Sequence, residues 1–319
     1  MRTETKKRLG GSLALLLAAI FWGTSFTAQK IGMAGVNGFT FNGIRTMIGA
    51  AALLPLVIYR AGALKKQLAV LPAEEQDKRK KTQIICGVIT GLILFVAGNL
   101  QQFAFKYTDS GKVGFITALY MLLVPLFGLF LGRKQPLYVW IALVFGCAGV
   151  YLLCVGDGFD NFGRGEALTL ACSVFFAMHI MYVDYAVQRA DAILLSFTQF
   201  IVSGTLGIIC MFIFEKPDFQ AIRSVIWPIL YTGLLSSGAA FTLQVIGQKN
   251  TEPAVASLLM CLESVFAVLT GWIVLHERLS GREIVGCVIM FLAVVITNLP
   301  IKSAGKRSDP ENAADAEVR

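Results

Sequence analysis

Ten apolar stretches, each about 20 residues long, fill this chain from Leu9 to Ile301. A helix rises about 1.5 Å per residue, so a hydrocarbon core of about 30 Å needs about that many apolar residues to cross it. A segment of that kind satisfies its own backbone and needs lipid as its solvent. The stretches run over about 9–29, 39–59, 83–104, 112–131, 137–155, 165–184, 193–214, 226–246, 254–275 and 283–301. The expected fold is therefore an all-α integral membrane protein with ten transmembrane helices.

Composition excludes most alternatives. Hydrophobic residues make up 56% and charged residues 15% of the chain, against roughly 25% charged in an ordinary soluble domain. All seven cysteines (Cys86, Cys147, Cys154, Cys172, Cys210, Cys261, Cys287) fall inside apolar stretches. There a thiol behaves as a small hydrophobe, so neither a metal site nor a disulfide framework is expected. The net charge of +8 needs no nucleic-acid partner, because the basic residues cluster just outside the apolar segments and act on orientation in the bilayer.

With the N-terminus placed in the cytoplasm, about nineteen of the 28 Lys and Arg residues fall on the inner side, among them Arg2, Lys6, Lys7, Arg8, Lys78, Arg79, Lys80 and Lys81. About eight fall outside, and Arg45 is left within a span. This reading makes a multi-pass protein of the cell membrane with both termini cytoplasmic. The orientation of the second half follows from the helix count. Gln29 and Lys30 make a poor cleavage site, so the first span reads as a retained helix and not a signal peptide.

The stretch from Arg60 to Gln83 is the one long connection. Leu64, Leu68 and Leu71 with their flanking lysines suit a helix lying on the leaflet, but the composition favours a solvated linker. The charged, Ala-rich segment 302–319 reads as a disordered cytoplasmic tail.

The two halves resemble each other. Tyr107–Ile141 aligns with Asn250–Ile284 at a shift of 143 positions, so that Thr108 falls on Thr251, Leu119 on Leu262, Tyr120 on Glu263 and Lys134 on Glu277. Gln101 falls on Gln244 at the same shift. A unit of five spans is odd, so a second copy crosses the membrane in the opposite sense. The expectation is two inverted five-helix repeats, over 9–155 and 165–301, which can hold an outward-open and an inward-open state at similar free energy.

Several short motifs sit in this frame. Phe21-Trp22-Gly23-Thr24-Ser25-Phe26 lies in the first span and Phe41-Asn42-Gly43-Ile44-Arg45 in the second. Lys106-Tyr107-Thr108 precedes the fourth span, which holds Leu119-Tyr120, and Leu262-Glu263 and Leu275-His276-Glu277-Arg278-Leu279 surround the ninth. In this order, within ten spans, they resemble the drug/metabolite transporter superfamily, EamA type, over nearly the whole chain. Where family members often carry a proline in spans four and nine, this chain has Met121 and Ser264. That departure weighs against a helix break at the midplane, above all in span nine.

The resemblance implies a secondary transporter of small organic metabolites such as amino acids or drugs, frequently an exporter, working by alternating access. It implies no enzymatic activity and no cofactor. The absence of a G-x-x-x-x-G-K-[ST] loop points the energy source to a gradient and not to ATP. The competing classes are a membrane-embedded enzyme and a receptor or scaffold. The first lacks H-E-x-x-H, G-x-S-x-G and any metal cluster, and the second would need a structured cytoplasmic region.

Polar groups within spans are costly and mark candidate sites. Glu263 lies about nine residues into span nine, near the midplane, and its repeat mate Tyr120 lies at matching depth in span four. Glu263 either meets a cationic substrate group or a coupling proton, or it is a neutral carboxyl that ties two helices together. Gln101, Gln244 and Asn99, with Gln102 beside the first, suit a zwitterionic or hydroxylated substrate, and equally suit helix packing. Trp22 is a candidate cavity wall. Arg45, with Gln199 at about the matching place in span seven, reads as a gate or structural anchor, direct substrate contact being the alternative; His179 reads as a packed histidine or a proton relay. No catalytic or metal-binding residue is expected. The glycine pairs Gly87/Gly91 and Gly128/Gly132 read as small-xxx-small faces that bring helices close within a monomer, a homodimer contact being the alternative.

Overall fold

The computed structural model describes residues 2–108, 110–154, 163–274 and 280–298. The tail at 302–319 and the motif from Leu275 to Leu279, with His276 and Glu277, lie outside the described residues. The described residues are almost entirely helical, with no strand among them. In chain order the helices are α1 (Arg2–Gly35), α2 (Gly38–Leu68), α3 (Ala73–Ala104), α4 (Ser110–Ala118), α5 (Tyr120–Phe130), α6 (Leu137–Cys154) and α7 (Arg164–Val187). They continue as α8 (Ala192–Phe214), α9 (Phe219–Ser224), α10 (Ile226–Tyr231), a π-helical segment (Thr232–Ala240), α11 (Phe241–Gln248), α12 (Pro253–Met260), α13 (Glu263–Val274) and α14 (Gly281–Asn298).

Among the described residues, seven helical stretches are long and apolar enough to cross a membrane. The shorter apolar helices Ile116–Phe130, Leu137–Leu152 and Ile284–Ile296 fall on the expected fourth, fifth and tenth spans.

The stretch from Arg60 to Gln83 differs from the linker expected of it. Helix α2 runs on to Leu68 and α3 begins at Ala73, which leaves only residues 69–72 between them. Charge alone was the wrong guide here, because Lys, Arg, Glu, Ala and Leu are good helix formers whether or not lipid surrounds them. Glu74 and Glu75 stand in the first turn of α3, where acids favour the helix dipole. Arg79 bonds Glu75 at 2.9 Å one turn away, and Lys80 bonds Asp77 at 3.3 Å.

The chief packing contacts join the two halves in a reciprocal pattern. Helix α2 packs on α8, and α6 on α14. Helix α1 packs against α13 and against α11 with its π segment, while α7 packs against α4, α5 and α3. Glycines set how close these helices come. A Cβ on Gly43 would sit 2.9 Å from the backbone carbon of Gly207, and one on Gly207 would sit 2.7 Å from the Cα of Gly43. Two backbones thus meet where α2 crosses α8, with no side chain between them.

Gly87 and Gly91 do the same for α3 against α8, each facing a side chain of α8: Thr198 at 2.5 Å and Val202 at 2.7 Å from a built Cβ. Gly128 and Gly132 do not. Gly132 has φ +74° and nothing near its Cβ direction, and Arg133 N donates to Gly128 O at 2.8 Å. This pair closes the end of α5 in the left-handed cap that glycine favours and makes no helix contact.

Polar ties sort the helix ends into two faces. At one face Arg60 pairs with Asp191 at 2.6 Å, Arg133 with Asp184 at 2.7 Å, and Gln188 Nε2 donates to Lys249 O at 3.1 Å. At the other, Lys106 Nζ donates to Asn37 Oδ1 at 2.6 Å and Thr108 donates to Glu166. There the carboxylate of Glu215, just past α8, accepts from Phe39 N at 2.9 Å, from Thr40 N at 2.7 Å and from the Thr40 hydroxyl at 2.9 Å. Asn37 makes no side-chain cap on α2. The other half of the chain caps that helix instead, and places a negative charge at its positive end.

Both central spans carry a short irregular turn despite Met121 and Ser264, with Leu119 and Cys261 keeping right-handed helical backbone. Helix α4 ends at Ala118 and α5 starts at Tyr120; α12 ends at Met260 and α13 starts at Glu263. The breaks face each other, since the Cys261 thiol donates to the Ala118 carbonyl at 3.4 Å. A carbonyl released by one break is thereby met by a side chain from the other, which is how irregular backbone survives at membrane depth.

Candidate functional site

Between the halves lies a cavity with about 710 Å³ of empty space, its mouth included. Its wall on α1 is Trp22, Ser25, Phe26 and Gln29, one face of the helix at spacings of three and four. Helix α2 adds Asn42, Arg45 and Thr46; α3 adds Leu94, Gly98 and Gln101. The broken spans supply Thr117 and Tyr120 from one half, and Met260 and Glu263 from the other. Phe176 and Ile180 of α7, Phe200 and Ser203 of α8, Ser236 and Ser237 of the π segment, and Phe241 and Gln244 of α11 complete it.

Glu263 is the first residue after the second break, and its carboxyl accepts a 3.2 Å hydrogen bond from the Tyr120 hydroxyl. Both side chains are buried, at 6% and 4% exposure. The two irregular turns stand directly before these residues, at Leu119 and at Cys261–Leu262.

Trp22 stands edge-on to Phe241 with centroids 4.9 Å apart, and its Nε1–H donates to Ser236 O at 3.2 Å. The acceptor lies in the π segment. Phe200 lies 6.1 Å from Phe241 and extends the aromatic wall. A π-helix widens the turn and turns its carbonyls off the α register, which lets the cavity side take an indole donor.

Gln101 Nε2 donates to the Thr117 hydroxyl at 3.3 Å. Gln244 Nε2 donates to Gln248 Oε1 at 3.0 Å, and Gln248 in turn to Ile180 O at 2.9 Å. The Gln244 Oε1 is buried without a partner among the described residues. Arg45 is 5% exposed, and its Nε donates to Asn42 Oδ1 at 2.9 Å.

Of the residues singled out from the sequence, Glu263, Tyr120, Gln101, Gln244 and Trp22 share this cavity, and Arg45 joins them. Asn99 does not line it: its Nδ2 donates to Phe95 O at 2.7 Å, back along its own helix. His179 and Gln199 also lie off the lining and bond each other at 3.0 Å, fully buried. Sequence reasoning missed Ser25, Gln29, Asn42, Ser203, the two serines of the π segment and the phenylalanines. Ser25 and Asn42 were within reach, as members of the two motifs of the first pair of spans. Phe176 was too, because it follows Trp22 by 154 positions, the same offset as Gln199 from Arg45.

The EamA-like transporter family model matches the chain twice, over residues 9–155 and 163–299. The chain belongs to the EamA-like transporter family. It is 27% identical over 307 residues to a protein of Archaeoglobus fulgidus named an uncharacterized transporter, covering 93% of this chain and 89% of that one. It is 23% identical over 288 residues to the Escherichia coli protein named uncharacterized inner membrane transporter YedA, covering 90% of each. The Bacillus subtilis protein named uncharacterized transporter YoaV is 23% identical over 284 residues, with 87% and 93% covered. One crystal structure superposes with a TM-score of 0.72 at 18% identity, over 91% of this chain and 96% of the other. That last likeness speaks to the fold. The EamA protein is thus a multi-pass membrane protein of a transporter family.

Proposed function

We propose that this EamA protein is a secondary carrier in which two inverted five-helix repeats, ten spans in all, expose the central cavity to each side of the membrane in turn. The carrying observation is that Tyr120 and Glu263, repeat mates 143 residues apart, hydrogen-bond each other in the cavity wall. Ala118 and Cys261 are also 143 apart and also touch. Residues that pair with their own counterparts lie on or near an axis relating the halves, and the reciprocal helix packing supports the same reading.

The cargo is a small organic metabolite of the amino-acid or drug class, bound by Glu263, Tyr120, Gln101, Gln244 and Trp22, with Arg45 at the edge. Glu263 either pairs with a cationic group or carries a coupling proton. Both termini lie in the cytoplasm, on the bias of Lys and Arg. On that orientation the face tied by Arg60–Asp191 and Arg133–Asp184 is the inner one, and the cavity extends from the bilayer middle towards the outer face. Export is the favoured direction by family resemblance.

The test is counterflow: purified protein in liposomes should exchange labelled metabolite without ATP. A protein that folds, binds ligand and gives no exchange with any member of an amino-acid, nucleoside and drug panel would overturn the carrier reading.

A further inference from the structure

Arg45 is buried in the cavity wall, and no carboxylate pairs with it among the described residues. Two acids near the helix ends are treated differently. Asp184 and Asp191, at 2% and 9% side-chain exposure, each hold an arginine within 2.7 Å. Arg45 instead has only Asn42 of its own helix on Nε and the Phe41 ring at 5.8 Å. Its two Nη groups donate no hydrogen bond to the described residues, and Arg45 lines the cavity. A guanidinium taken out of water without a counter-charge is costly, and a ligand that brings the charge relieves that cost.

We propose that Arg45 is the anchor for a carboxylate on the transported molecule, whose body is apolar and ring-sized. The inference deepens the carrier reading and rests on it for the word transported; the binding claim stands apart. The planar fork of Arg45 suits two parallel bonds to a carboxylate. Asn42 already fixes the guanidinium plane from one edge, which leaves the other edge for the ligand. One fixed cation, with amides, hydroxyls and the Glu263 carboxyl as the other polar groups of the lining, matches a single negative charge, where a phosphate dianion would need more. Trp22, Phe26, Phe176, Phe200 and Phe241 form the wall that an apolar body would meet.

The test compares 3-phenylpropionate with 3-phenylpropionamide, equal in shape and different in charge, by calorimetric titration of the full chain in nanodiscs. The acid should bind about tenfold tighter or more, the usual worth of a hydrogen bond to a charged group. Arg45→Gln should reduce that ratio to about twofold or less, and Arg45→Lys should keep part of it. Asn42→Asp supplies a counter-ion in place with almost no change of shape and keeps the arginine, so it should also abolish the preference even where Arg45→Gln fails to fold. Equal binding of acid and amide by the natural protein, or an undiminished preference in Asn42→Asp, overturns the assignment. Exchange of neutral metabolites without an acid preference would defeat this inference and leave the carrier intact; acid-selective binding without exchange would do the reverse.

Discussion

The hydroxyl of Tyr120 and the carboxyl of Glu263 meet at 3.2 Å across the centre of the molecule, each the counterpart of the other in its own half. Neither helix break alone would form this contact. It needs α5 and α13 to begin at equal depth, and the Cys261–Ala118 bond holds them there.

Replacing Glu263 by Gln keeps an acceptor for Tyr120 and removes the ionisable group. Exchange in liposomes should fall at least about tenfold and its dependence on pH should flatten, the size expected if a central ionic or proton contact is lost. Tyr120→Phe removes one interhelical hydrogen bond, worth roughly 0.6–2 kcal/mol within a membrane. It should lower the thermal midpoint slightly and leave the pH profile in place. Transport by Glu263→Gln at the natural rate with an unchanged profile would remove that residue from the mechanism.

Gly23 admits no side chain. A Cβ there would stand 2.5 Å from the Glu263 carbonyl oxygen and 2.5 Å from the Cβ of Phe266, while one on Gly10 would meet nothing within 4 Å. Gly23→Ala should therefore push α1 off α13 and cost about 1–3 kcal/mol by overpacking. Gly10→Ala should be close to neutral, and unfolding of the two variants in detergent separates them.

Trp22 combines a hydrogen bond with bulk. Trp22→Phe should lose the bond to the Ser236 carbonyl, roughly 1 kcal/mol, and keep the edge contact with Phe241. Trp22→Ala should cost about 3–5 kcal/mol if the wall closes poorly. Fluorescence-monitored unfolding would rank them; equal losses would mean that the indole N–H carries the effect.

The Arg133–Asp184 pair should count for more than the Arg79–Glu75 pair. Asp184 has 2% side-chain exposure against 39% for Glu75. Arg133 is itself 43% exposed, which screens the pair. Asp184→Ala should then cost about 1–3 kcal/mol, and Glu75→Ala should stay within the small loss usual for surface pairs. Thermal midpoints measured at low and high salt would show the difference, with only the exposed pair strongly salt-sensitive.

How much of this could be read from residues alone varies with the physics behind each feature. Long apolar runs report solvent directly, so the helices at 164–187 and 192–214 were legible, while α1 runs on to Gly35, past the expected end at 29. The ends of α2 and α3 were not, because hydropathy marks where lipid stops and not where a helix of Lys, Glu and Ala stops. Both central breaks formed without the prolines that would have announced them. In the site, Glu263, Tyr120 and Gln101 stood out because a polar group in an apolar run is costly. Phe200 and Phe241 did not, since a phenylalanine on a cavity wall and one facing lipid leave the same mark in a sequence. Asn99 illustrates the opposite error: its amide is as rare in an apolar span as that of Gln101, yet it turns back to Phe95 O.

Glu215 gives the cavity a mechanical property. It belongs to the end of α8, yet it grips the first turn of α2, and a few residues further on Gly43 and Gly207 bring the two backbones together. Any tilt of α2 must drag α8 along, so Asn42 and Arg45 travel with Ser203 and Phe200 as one panel. A hinge in this protein belongs at the borders of that panel, not within it.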